Sequence, residues 1–218
     1  MRRFFMFDGA STWHDWRLTL TAKDVTPPEP KTNYINLDGM SGSLDLSEAL
    51  TGEVAYNDRT VSASFWTSEG TYQEREQMLH SIITALHGKR VRIVEPDDPE
   101  HYFLGRVTVK VKTRTAVYLE FDIEAVCDPW RYAVEETQRL VEVDGGEVVA
   151  IINNNGVKSL CPEVMVTGGP ITLVYGTATV DLAEGSYKIA DLRLFHGVNL
   201  VTCSGSGSVT FTYREAAL

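Results

Sequence analysis

The stretch from Arg106 to Ala125 constrains the chain more than any other. In Arg106-Val-Thr-Val-Lys-Val-Lys112 the valines at 107, 109 and 111 share one face. In Val117-Tyr-Leu-Glu-Phe-Asp-Ile-Glu-Ala125 the odd positions are again apolar. Alternation of this kind has the period of a half-buried strand. Both runs turn odd residues inward, so residues facing each other across a hairpin need an even sum. A two-residue turn at Thr113-Arg114 breaks that parity. A three-residue loop at 113–115 keeps it and pairs Val109 with Leu119 and Val107 with Phe121. The wet face then sets Arg106 opposite Asp122, with Lys110 diagonal to Glu120, each pair contributing about 0.2–1 kcal/mol. A sheet with one solvated face follows.

One segment breaks the pattern. Thr71-Tyr-Gln-Glu74 is a capping box. Tyr72, Leu79, Ile82, Ile83 and Leu86 then recur at helical spacing, with Met78 beside them, and Gly88 supplies the stop. Arg75 falls on the apolar face by angle, from which it either snorkels outward or meets a carboxylate of a neighbouring subunit. Upstream, Trp13–Leu20, Tyr34–Leu37, Val54–Tyr56, Val61–Trp66 and Arg90–Val94 read as strands. Thr26-Pro-Pro-Glu-Pro-Lys31 reads as an extended loop.

The chain of 218 residues divides near residue 135. Before it lie 15 cations, 20 anions and all four Trp; after it lie five cations and ten anions. Glu135-Glu136-Thr137-Gln138-Arg139 reads as a polar hinge between domains 1–135 and 136–218. The second part shows no amphipathic helix. Its short apolar runs lie at 148–152, 163–166, 171–175, 178–182, 192–195, 200–203 and 209–213, separated by Gly-rich turns, as in a small β-sandwich. No apolar run approaches the ~18 residues of a membrane helix. The apolar patch after the basic pair at the amino terminus ends at Asp8, too short for a signal peptide. The expectation is a soluble chain with no membrane partner.

The net charge of −10 opposes a sequence-independent grip on DNA, which needs clustered cations. It is compatible with a wall that repels phosphates and lets DNA slide past. Cys127, Cys161 and Cys203 form no disulfide framework and no Cys-x-x-Cys; they are expected to be free thiols in a chain folded in a reducing compartment.

The search for chemistry gives no site. His80 and His87 are too far apart on the helix for a zinc pair, and His14, His101 and His196 have no partner nearby. Glu95-Pro-Asp-Asp-Pro-Glu100 lacks the alternating ligands and glycine of a calcium loop and reads as a solvated turn. Gly205-Ser-Gly207 lacks the Lys and the following helix of a phosphate loop and reads as a turn between the last two strands. There is no Gly-x-Ser-x-Gly elbow. The expectation is a protein that is not an enzyme, with no catalytic residue, metal or cofactor.

An ordered series of short motifs resembles the distal tail proteins of long-tailed siphophages. It begins with Trp16-Arg-Leu-Thr-Leu20 and the Pro-rich loop at 27–31. It continues through Asp38-Gly39, Gly42-Ser-Leu-Asp-Leu46 and Val54-Ala-Tyr-Asn-Asp-Arg59. The strongest part is Leu86-His-Gly-Lys-Arg-Val-Arg92, Asp97-Asp-Pro99 and His101-Tyr-Phe-Leu-Gly-Arg106, followed by Cys127-Asp-Pro-Trp-Arg-Tyr132. Leu194–Asn199 and Gly205–Arg214 look like the terminal strands of the same proteins.

The resemblance implies a mainly β fold: an N-terminal tail-tube-like β-sandwich with one α-helix, followed by a small galectin-like β-sandwich. It implies a structural protein of a bacteriophage or prophage, assembled in the bacterial host cytoplasm and located at the virion tail tip. Six copies would form a hexamer ring that joins the tail tube protein to the tail-tip or baseplate hub proteins, with a channel for DNA as passing cargo. Subunit-interface candidates are Arg59, Arg75 and Arg106. The second domain, at about 80 residues, is short for a glycan-binding role. The alternatives are a carbohydrate-binding module of the tail tip contacting the host surface, and a tail-tip glycosidase with two facing carboxylates.

Overall fold

A computed structural model of the chain describes residues 3–49 and 52–218; Met1 and Arg2, part of the amino-terminal basic patch, lie outside the described residues. The fold is mainly β with a single helix. It forms two compact units, Met1–Arg131 together with Leu218, and Tyr132–Ala217.

The first unit contains β1 (Met6–Phe7), β2 (Ala10–Ser11), β3 (Thr19–Val25), β4 (Tyr34–Ile35), β5 (Leu44–Asp45), β6 (Arg59–Thr67), α1 (Tyr72–Leu86), β7 (Arg90–Glu95), β8 (Asp98–Arg114) and β9 (Leu119–Ala133). Seven strands lie in the order β2-β1-β7-β8-β9-β6-β3, and β4 and β5 form a separate two-stranded ladder. The inward residues of β6, β8 and β9 meet Leu79, Ile82 and Leu86 of α1 in one core, with Phe5, Phe65, Phe103 and Phe121. Each fully buried side chain of this size contributes roughly 1.5–3 kcal/mol.

The helix starts and stops where the sequence predicts. The Thr71 hydroxyl accepts from the Glu74 N–H at 3.3 Å, and the Glu74 carboxylate accepts from the Thr71 N–H at 2.6 Å. Gly88 follows the C-cap with φ +76°, open to glycine at little cost. Tyr72 differs from expectation: it is exposed, because a side chain in the first turn points back past the start of the helix. Arg75 occupies the buried face instead.

Two other expectations are corrected. The β8–β9 turn is Thr115–Tyr118, not 113–115. Its Thr115 N–H donates to the Tyr118 carbonyl at 3.0 Å, and the Thr115 hydroxyl accepts from the N–H groups of Val117 and Tyr118. That side-chain turn leaves Thr113 and Arg114 in the ladder and displaces the register. Lys110 meets Glu124 and Lys112 meets Asp122 at 2.8 Å, in place of Arg106 with Asp122. Odd residues of both strands still face inward, from Phe103 to Val109 and from Leu119 to Cys127. The strand expected at Trp13–Leu20 begins only at Thr19. Local bonds hold 12–16 in turns: Asp15 accepts from the Ser11 N–H at 2.7 Å, and the Ser11 hydroxyl accepts from the His14 N–H at 3.1 Å. Such local bonds compete with the ladder.

The second unit contains β10 (Thr137–Asn154), β11 (Glu163–Thr167), β12 (Ile171–Tyr175), β13 (Ala178–Leu182), β14 (Gly185–Lys188) and β15 (Gly197–Tyr213). β15 is its spine. β10 pairs with it from Thr137↔Tyr213 to Asn154↔Gly197. On the other edge β11 pairs with residues 208–212 and β12 with 202–205. The expected hinge at 135–139 therefore lies largely inside a strand, and Gly205-Ser-Gly207 is no turn: the two expected strands around it are one. The run at 192–195 makes only an isolated bridge, Leu160↔Leu194.

The glycines do a different job from the one expected. Gly145-Gly146 in β10, Gly168-Gly169 between β11 and β12, and Gly205 and Gly207 in β15 lie at one level across three neighbouring strands. They form a crease. Val141, Val143, Val166, Val209 and Phe211 on one side share a single core with Ala150, Ile152, Leu173, Val201 and Cys203 on the other. At the crease a Cβ on Gly205 would sit 2.4 Å from the Pro170 carbonyl oxygen, and one on Gly207 2.5 Å from that of Thr167. The register shift between Asp144 and Glu147 also changes the parity of β10. Odd residues point inward before it and even residues after it, while β15 keeps odd residues inward throughout.

Candidate assembly surface

The first unit carries an excursion whose described residues contribute nothing to its core. Residues 29–57 leave the sheet between β3 and β6. Its base is closed by the Pro30↔Tyr56 bridge, with Lys31 N–H donating to Ala55 at 2.7 Å and Asn57 N–H to Glu29 at 2.8 Å. The Tyr56 ring packs edge-on against Trp130 at 5.4 Å. Further out, Tyr34 faces Asp45 and Ile35 faces Leu44. The Ser47 hydroxyl accepts from the Asn33 N–H at 2.9 Å, and the Asp45 carboxylate accepts from the Ser47 N–H at 2.9 Å. The Ser47 hydroxyl, which also donates to Asp45, and then the Ser47 N–H hold the Asp45 carboxyl below its ordinary value.

This arm is apolar where it meets water. Tyr34, Ile35, Leu37, Met40 and Leu44 are between 41% and 58% exposed. Residues 29–58 also carry six carboxylates against the single cation Lys31. A cluster of large exposed apolar side chains marks a candidate interaction surface. Sequence reasoning read the arm as a loop with short strands. The usable signal was the scatter of isolated large apolar residues among Gly, Ser and Asp between 33 and 46.

The three arginine candidates are not brought together. Arg59 is buried; its Nε donates to the Thr26 carbonyl at 3.1 Å, a terminal nitrogen to that of Pro129 at 3.2 Å, and its guanidinium lies 5.0 Å from the Phe103 ring centre. Burial, and then the charge of Arg131, lower its pKa. Arg75 is buried too, donating to the carbonyls of Gly70 and Ala116, both at 2.6 Å. It ties the start of α1 to the β8–β9 turn. Arg106 is exposed and donates to the Gly88 carbonyl.

Charges near the amino terminus form a network. Lys23 bridges Glu95 and Asp97, the latter at 2.6 Å, and Arg3 also reaches Asp97. Burial pulls the Lys23 ammonium down, but its bonds to Asp97 and Glu95 outweigh that and raise its pKa. Asp98 joins His101 at 2.8 Å and Arg131 at 2.9 Å. Pro96-Asp97 is thus the two-residue turn between β7 and β8, with Glu95 paired with Asp98, so most of the acidic run expected as a solvated turn lies in the strands. Among the described residues no group of three or more His, Cys, Asp or Glu is placed to hold a metal ion. Among the described residues no helix is long and apolar enough to cross a membrane.

No protein-family model matches the chain, and no curated protein sequence matches it. Among solved structures the chain is similar to SPP1 Dit (gp 19.1), described as a paradigm of the hub adsorption apparatus in phages that infect Gram-positive bacteria. The TM-score is 0.67 at 13% sequence identity, covering 98% of this chain and 99% of that one. Across nearly its whole length, the chain has the fold of SPP1 Dit.

Proposed function

We propose that the chain is a structural protein of a phage tail tip, closing as a ring of six copies between the tail tube protein and the tail-tip proteins, with a channel for DNA. The observation that carries this reading is the match to one hub protein over both units together. The arm supports it, because its exposed apolar residues need a covering neighbour. A head-to-tail contact that repeats around a ring covers every arm. The acidic arm suits a cationic surface on the next copy, and of the three arginines Arg106 is the one exposed to contribute to it. The first unit, residues 1–135 in the sequence division, forms the ring, and the galectin-like second unit, 136–218, lies outside it.

Six copies of 24.3 kDa give a particle of about 146 kDa. Light scattering and negative-stain images at high concentration, and with the adjoining tail-tip protein, test it. Closed rings are expected. A chain that stays monomeric or stops at a dimer under all these conditions overturns the reading. Replacing residues 32–54 by a short Gly-Ser linker is expected to abolish rings and leave the first unit folded.

The carbohydrate-binding alternative has little to rest on. Phe211 and Tyr213 are buried, and Tyr175 and Tyr187 pack on the same core. Phe195 is half exposed, with Arg193 at 5.9 Å. Sugar sites use aromatic faces with polar groups beside them. Dose-dependent binding on a glycan array, lost in Phe195→Ala or Tyr187→Ala, would restore that reading.

A further inference from the structure

Asn155-Gly156 is the one Asn-Gly pair in the sequence. It follows β10 directly, in the same unit as Glu215 and Ala216. Packing dictates the Gly: a Cβ at 156 would stand 2.6 Å from both the backbone nitrogen and the carbonyl oxygen of Ala216. No other residue fits so close a backbone crossing. Hydrogen bonding dictates the Asn. Its backbone N–H and its side-chain Nδ2 both donate to one Glu215 carboxylate oxygen, at 3.1 and 3.0 Å. Beyond it the Val157 and Lys158 N–H groups donate to the Ala216 carbonyl at 2.9 and 3.3 Å. These contacts make a clasp between 155–158 and 215–216.

Such a pair carries its own reaction. The Gly nitrogen, with no side chain beside it to obstruct the approach, attacks the side-chain amide carbon of the preceding Asn. A bond forms between that nitrogen and Cγ, the Cγ–Nδ2 bond breaks, and the side-chain nitrogen leaves as ammonia with the backbone amide proton. The cyclic imide then takes up water and opens at either carbonyl, giving Asp or isoaspartate. The closed clasp opposes the first step from both sides. Gly156 is buried, and its N–H is engaged with the Asn154 side-chain oxygen at 3.1 Å. Asn154 is itself fixed, with its Nδ2 donating to the carbonyls of Lys158 and Leu194 at 3.0 and 3.3 Å. The Asn155 carboxamide is held on Glu215.

We propose that Asn155 is a self-modification site gated by this clasp: the amide persists while Glu215 and Ala216 are seated, and it converts to Asp or isoaspartate once they lift. The change is one-way. Either product sets a carboxylate against that of Glu215, where an amide donated before, and like charges so close repel. Isoaspartate also adds a carbon to the main chain immediately before Gly156, where the crossing leaves no room. A copy whose clasp opens is therefore marked and does not reclose. The inference uses contacts within the second unit and does not depend on ring closure.

The test is peptide mapping by mass spectrometry of the full chain, held at mildly alkaline pH for increasing times, with Asp and isoaspartate peptides separated by chromatography. In the urea-unfolded chain Asn155 is expected to convert ahead of every other Asn, since no other is followed by Gly. In the native chain it is expected to convert about a hundredfold more slowly, because two hydrogen bonds to a charged group must break first. Glu215→Ala, which removes both, is expected to hasten native conversion by about tenfold or more. Closure is read separately, by amide hydrogen exchange at Val157 and Lys158. Asn155→Asp is expected to speed exchange there by about tenfold. Glu215→Gln in the same chain is expected to restore the slow exchange, since the introduced amide donates to the introduced carboxylate. The proposal is overturned if native and unfolded chains convert Asn155 equally fast, or if Glu215→Ala does not hasten conversion. It is overturned equally if Asn155→Asp leaves exchange unchanged, or if Glu215→Gln gives no rescue.

Discussion

Replacing Gly205 by Ala tests the crease directly. Gly205 has φ +127°, a region that L residues rarely adopt, and its added Cβ would stand 2.4 Å from the Pro170 carbonyl oxygen. The backbone term is about 1–2 kcal/mol. Relieving the overlap moves Pro170 by roughly an ångström against a normal contact of 3.4–4 Å, which opens the Ile171↔Gly205 pairing. Losing one or two ladder hydrogen bonds adds about 1 kcal/mol each. The expected loss is therefore about 2–4 kcal/mol. Gly145 is the control: its φ is +68°, but nothing lies within 4 Å of its added Cβ, so only a backbone term of about 1 kcal/mol applies. Urea unfolding of the full chain separates the units by probe. All four Trp lie in the first unit, so their fluorescence follows that unit, while far-UV dichroism follows both. Gly205→Ala is expected to shift the dichroism transition and spare the fluorescence one. Equal losses in Gly205→Ala and Gly145→Ala would refute the close crossing and, with it, the crease.

Three further outcomes are expected. In native protein, Cys161 alkylates first; burial pushes the Cys127 thiol up to about 12 and Cys203 to about 11, so both react only on unfolding, and mass spectrometry after timed labelling gives the order. Leu79→Ala, at a side chain with no exposure, loses about 2–5 kcal/mol in the fluorescence-detected transition. Thr71→Ala loses about 1 kcal/mol through its cap. Glu74 has its pKa lowered, first by the Thr71 N–H and then by the Thr71 hydroxyl, so its contribution is present above its ordinary value of 4.5 and is lost as pH falls through the lower folded value. The deficit of Glu74→Gln against the parent chain accordingly shrinks in acid.

The helix was legible because its cap, its spacing and its stop all agree, at Thr71, Leu79 through Leu86, and Gly88. Strands β6, β7, β11, β12 and β13 were legible because alternation or short apolar runs met clear turn residues. What misled the reading was local chemistry that a pattern does not carry. Ser11 and Asp15 bend a stretch whose alternation resembles a strand. The Thr115 hydroxyl moves a turn along the chain by bonding within it. Glycine at 205 and 207 looks like punctuation, yet it serves as clearance where a carbonyl crosses. Of the arginines, spacing could place Arg75 on the buried face but could not show that the carbonyls of Gly70 and Ala116 would be its partners. The arm went unnoticed as a surface because exposure belongs to the fold.

The one-residue bulge at Gly145-Gly146 sets a limit on how the chain can change length. Everything after it in β10 is in phase with β15 only because one extra residue is taken up there. Deleting one glycine would close the bulge and keep Ala150 opposite Val201 and Ile152 opposite Asn199, but inserting one further residue would rotate the remainder by one position. Val149 and Ile151 would then enter the core, while Ala150 and Ile152 would face water. The arm between Asn33 and Val54 has no such phase to keep, since no core residue depends on its count. Insertions among relatives should therefore accumulate in the arm and be nearly absent between Asp144 and Glu147, where one more residue would shift the reading frame of the second unit.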